Sequence, residues 1–126
     1  MDLLTIDNNV AIPSAYTLTV LEFKDIVDKD KSKGKNVSTK ELAYVYFMCD
    51  HRSPFAVYGE AERKNEVKIN VFGLDSKWSE DPKIQAACLK YKQLTETSAI
   101  RLLKAARESV RKLQRYFETI DLTMMD

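Results

Sequence analysis

A chain of 126 residues can bury one sizeable core and is too short for two independent ones. With 20 Lys and Arg against 19 Asp and Glu, its net charge of +1 excludes a chain devoted to wrapping nucleic acid or coating an anionic membrane, so any basic patch is local. Three Gly and three Pro leave few sites for tight turns, which disfavours the strongly β classes and predicts a mainly α fold.

Cys49 and Cys88 sit in apolar runs, as small core residues of a reducing compartment with no disulfide framework. The N-terminal MDLLTIDNNV lacks the basic region and apolar core of a signal peptide, and no run reaches the length of a membrane span. A soluble protein made in a cytoplasm is expected.

Residues 1–12 carry no helical stripe and read as an extended arm, able to lie on a neighbour. Residues 13–80 read as a helical core. Its first helix is predicted over Tyr16 to Asp30, with Leu18, Leu21, Ile26 and Phe23 supplying the apolar face. The lysine-rich Lys31 to Asn36 follows as a solvated loop. Ser38 and Glu41 match a capping box, which tilts LAYVYFMC towards helix despite its β-favouring residues. With Leu42, Val45, Tyr46 and Cys49 on one face and Ala43 and Phe47 on another, that helix is expected at the centre of the domain.

Pro54 restricts Ser53 and ends the helix near Asp50 to Arg52. From Gly59 to Phe72 the pattern fits a helix early and alternates late, leaving a short strand at Val67 to Val71 open, with Gly73 closing either one. Asp81 and Pro82 then start a helix by N-cap and first-turn preference. From Ile84 to Ile120, apolar or small residues recur every three or four positions without Gly or Pro, so residues 81–120 read as one long helix. Its weakest point, where it bends or breaks, is Thr95 to Ser98.

Chemical motifs are sparse. Asp50, His51 and Ser53 bring hydrolase letters together, but successive helical residues point ~100° apart and form no relay. Asp28, Asp30, Ser32 and Gly34 resemble a calcium loop, yet the glycine comes one place late, Thr39 stands where a bidentate Glu is needed, and four lysines fill the loop. Neither a metal nor another cofactor is expected, and no catalytic residue is assigned. The stronger signal is basic. Arg101, Lys104, Arg107, Arg111, Lys112 and Arg115 accompany one acid, Glu108, and four of them, Arg101, Lys104, Arg111 and Arg115, fall near one stripe. The stripe reads as a solvated face, a surface for an acidic partner or a track for phosphates. Trp78, alone in a polar connection, is either tucked on its own core or an interface anchor.

EFKDIVDKDKSKGK (Glu22 to Lys35), KELAYVYFMCDHRSPF (Lys40 to Phe55) and Glu62-Arg63 together resemble small virion structural proteins of tailed phages, including the crAss-like phages of gut bacteria. The resemblance spans roughly Leu18 to Lys64 and leaves the C-terminal half outside. It implies a neck, connector or ring protein, homo-oligomeric about an axis, assembled with portal or tail components and located in the virion. On that reading Arg52 and Arg63 bridge to nearby carboxylates, while the basic stripe faces a partner or the packaged DNA. The alternative is a nucleic-acid-associated packaging or regulatory protein using the same stripe.

Overall fold

A computed structural model describes residues 2–124. It is mainly helical, as composition and periodicity predict, and the chain divides after Thr95 into two units.

The N-terminal unit opens with a β-hairpin, β1 (Leu4–Asp7) and β2 (Val10–Pro13), paired antiparallel from Leu4 opposite Pro13 to Asp7 opposite Val10. Asn8 and Asn9 form its two-residue turn with φ of 52° and 64°, the left-handed pair required by the twist of a tight hairpin and tolerated by Asn. The expected arm is therefore extended but folds on its own domain. Leu3, Leu4 and Ala11 are buried, and the Thr17 hydroxyl donates to the Leu3 carbonyl at 2.7 Å. At the hairpin tip, Asn70 donates to the Asn9 side chain at 3.1 Å.

A turn of 3-10 helix (Thr17–Thr19) precedes α1 (Leu21–Lys29), because Val20 is extended and interrupts the helix expected from Tyr16. The apolar face differs accordingly. Phe23 and Ile26 are fully buried, whereas Leu18 and Leu21 are 40% and 65% exposed.

The predicted capping box does not form. Helix α2 spans Asn36–Cys49, which places Ser38 inside its first turn. Its free N–H at Ser38 is met from across the preceding loop by Asp30, whose carboxylate accepts from Ser38 N at 2.7 Å and from Ser32 N at 2.9 Å. These donors, led by the Ser32 hydroxyl, hold the Asp30 carboxyl far below its ordinary range. Lys35 turns back to close the end of α1 by donating to the Val27 and Asp30 carbonyls. The lysine loop is thus a working junction between α1 and α2. Glu41, the intended partner of the box, instead accepts from the Trp78 indole at 3.1 Å and lies 3.5 Å from the Lys29 ammonium.

Helix α2 is the centre of the unit. Leu42, Ala43, Tyr44, Val45, Phe47, Met48 and Cys49 are all buried, and α2 packs on β1, β2 and α1. It also packs on α3 (Glu60–Phe72) and α4 (Pro82–Thr95). Covering on every side explains how β-favouring residues remain helical, since packing outweighs a propensity difference of at most about 1 kcal/mol. Helix α3 runs unbroken through Val67 to Val71, so the strand left open there is not formed. Gly73 ends it with φ 96° and donates to the Ile69 carbonyl. Asp81 caps α4 as predicted, accepting from Ile84 N at 2.9 Å.

The long helix breaks where its sequence is weakest. Helix α4 stops at Thr95, and α5 (Ser98–Met124) begins anew with Thr97 as its N-cap, whose hydroxyl accepts from Ile100 N. The second unit is this one 27-residue helix with its cap.

Candidate interface

The loop after α2 gathers charged groups around a cleft of about 500 Å³, bordered by Asp2, Tyr16, Asp50, His51, Arg52 and Leu94. Asp50 ends α2 and is buried with its charge. Its carboxylate accepts from the Tyr91 hydroxyl at 2.5 Å, from Arg52 N at 2.8 Å, and from Arg52 Nε and Nη2 at 3.0 Å. Burial alone would raise its pKa, but the hydrogen bonds from Arg52 and Tyr91 prevail and bring it down to about 2. The same contacts push the Tyr91 hydroxyl up, through burial and the adjacent carboxylate.

A carboxylate this acidic and this fully bonded is a poor proton acceptor at neutral pH. His51 Nδ1 stands 3.7 Å from Asp50 Oδ1, beyond a hydrogen bond. The Ser53 hydroxyl is buried and donates to the Phe47 carbonyl at 2.8 Å. Asp50 and Ser53 thus both bond at the end of α2.

The two arginines differ. Arg52 bridges Asp50 and, at 3.0 Å, Asp2. Arg63 gathers main-chain carbonyls of Met48, Phe55, Ala56 and Tyr58 at 2.6 to 3.3 Å. Its planar fork of five donors suits the convergent oxygens of a helix C-terminus and the turn that follows, where no intrahelical donor is left for them.

Trp78 is tucked against its own unit. Its ring stacks on Phe72 at 4.2 Å with an interplanar angle of 15° and lies 4.7 Å from Tyr44. With the indole donating to Glu41, one face and the polar edge of the ring are engaged.

The C-terminal helix is different in kind. It is amphipathic, yet Leu102, Val110, Leu113, Tyr116 and Phe117 are between 53% and 72% exposed. Of the predicted stripe, Arg101 and Arg115 are exposed, Lys104 pairs with Glu96, and Arg111 pairs with Glu108. Local acids thus answer half of the stripe, and its net positive field is smaller than the residue count suggests. The more consequential face of α5 is the apolar one. Its residues are legible in the sequence as a period, but a period does not say whether the face it makes is buried.

No family model, curated protein or solved structure matches this chain.

Proposed function

We propose that this protein is a structural subunit of a tailed-phage virion, a ring component of the neck or connector that assembles with copies of itself and with portal or tail proteins. The observation that carries the reading is the pairing of a well-packed helical unit with a separate 27-residue helix whose apolar face is open. An isolated helix is marginal in water and draws its stability from packing an apolar face, so α5 is suited to work through contact with another surface. The resemblance of Leu18 to Lys64 to small phage virion proteins supplies the setting. Its work is geometry: the α2-centred unit is the rigid body, and α5 supplies the surface for contact.

The nucleic-acid reading retains one observation in its favour, the six basic residues between Arg101 and Arg115. Light scattering of the purified chain, alone and with duplex DNA, separates the two. A mass several times the 14.5 kDa of one chain, indifferent to DNA, supports the subunit reading. A single-chain species that binds DNA and releases it steeply with salt overturns it, because neutralising several phosphates makes affinity fall with a high power of salt concentration.

A further inference from the structure

We propose that α5 is a self-recognition element that pairs with α5 of a second copy of this chain as an antiparallel coiled coil. The proposal rests on the subunit reading and names the partner of its exposed helix.

Leu103, Ala106, Val110, Leu113, Phe117 and Ile120 succeed one another at alternating steps of three and four. That alternation averages 3.5 residues, the period of a supercoiled seam, whereas a face packed on a straight helix drifts at 3.6. The seam is open: Leu103 is 40% exposed, Val110 and Leu113 are 53%, and Phe117 is 58%. With Leu102 and Tyr116 beside it, the exposed apolar surface is roughly 700 Å², above the ~300–600 Å² patch of an ordinary monomer and close to the ~800 Å² per partner of a standard interface.

Charge placement favours a second copy as the occupant. The positions flanking the seam hold Ile100, Leu102, Arg107, Ser109, Gln114, Tyr116 and Asp121, with two charges of opposite sign among them; in the antiparallel register below, Arg107 falls near Gln114 and Asp121 near Ile100 of the second copy. Two copies therefore meet without opposed like charges, while the other basic groups of α5 lie on the outer face.

Side-chain volume then selects the direction. In an antiparallel pair centred between Val110 and Leu113, Leu103 meets Ile120 of the second copy, Ala106 meets Phe117, and Val110 meets Leu113. The central layers each couple a smaller residue with a larger one. A parallel pair would stack Phe117 on Phe117 and Ala106 on Ala106, and one interaxial distance within the usual ~8–10 Å cannot fit both layers. The antiparallel arrangement also brings the basic end, with Arg101 and Lys104, level with Glu118 of the other copy and opposes the helix dipoles. Its two-fold symmetry closes on itself, so pairing through α5 stops at two chains and leaves other surfaces to build a larger ring.

The test is sedimentation equilibrium of the full chain across a wide concentration range, with Val110→Glu and Leu113→Glu as variants whose helicity is checked by circular dichroism. Mild oxidation of Leu103→Cys and Ile120→Cys proteins, separately and mixed, reads the direction, with the wild-type cysteines as background. The expected result is a species of twice 14.5 kDa that both glutamate variants reduce to one chain, with disulfide-linked pairs enriched only in the mixture. A wild-type protein that stays single-chain overturns the proposal, as does pairing that survives Val110→Glu, or Leu103→Cys linking to itself. A larger assembly untouched by Val110→Glu removes the α5 pairing and leaves the subunit reading standing. A single chain with salt-sensitive DNA binding removes both.

Discussion

Replacing Asp50 by Asn tests the buried network at the end of α2 without changing its volume. In the folded protein the carboxyl group titrates near 2, against ~3.9 for an unperturbed Asp. A difference of nearly two units corresponds to about 2–3 kcal/mol of stability held by the ionised form. Because the folded pKa is the lower one, this contribution is fully present above about pH 5 and is lost as pH falls towards 2. The side chain is only 2% exposed, so solvent screening takes little from it. The amide introduced by Asp50→Asn would keep one acceptor oxygen but could not answer both Tyr91 and the Arg52 fork. Urea unfolding followed by circular dichroism at pH 7 is expected to show Asp50→Asn less stable by about 2 kcal/mol, or roughly 10 °C in Tm for a domain of this size. Near pH 3 the gap narrows to about half, since the wild type is then losing the same contribution. A gap that is equally wide at both pH values, or one below about 0.5 kcal/mol at pH 7, would refute the reasoning.

Arg63→Met keeps the stem but releases the carbonyls of Met48, Phe55, Ala56 and Tyr58; a loss of about 2 kcal/mol is expected, with faster amide exchange across residues 50–58 than elsewhere. Arg63→Lys restores only part of it, because a single ammonium cannot span four oxygens. Trp78→Phe retains an aromatic ring against Phe72 while deleting the bond to Glu41, so about 1 kcal/mol is expected, against about 3 kcal/mol or more for Trp78→Ala in the same urea titration. Gly73→Ala is expected to cost roughly 1–3 kcal/mol although no atom lies within 4 Å of the added Cβ, because φ of 96° with ψ of 159° is a region open essentially to glycine. Losses that track side-chain size, from Ala to Ser to Val, would instead indicate crowding.

Local signals in the chain determined much of this protein. Scarce Gly and Pro, the apolar run from Leu42 to Cys49, the Asp81-Pro82 start and the Gly73 stop each act within a few residues, and each stands in the fold where those residues dictate. The weak point at Thr95 to Ser98 belongs with them, since Thr97 carries its own capping hydroxyl and needs no distant partner to begin a new helix. Tertiary structure decided whatever depends on a partner remote in sequence. Ser38 and Glu41 had the spacing of a capping box, but Asp30 and Trp78 reached them first, and both are set in place by packing around α2. The N-terminal residues had too short a pattern to declare themselves, and Asn8-Asn9 became a hairpin once Leu3, Leu4 and Ala11 had a core to enter. Arg63 found carbonyls because the turn after α2 brought four of them to one point. The same division applies to α5: its period of three and four is written in the sequence, whereas the exposure of Leu102, Val110, Leu113, Tyr116 and Phe117 is read only from the folded chain, because periodicity specifies an apolar side and not whether that side is buried.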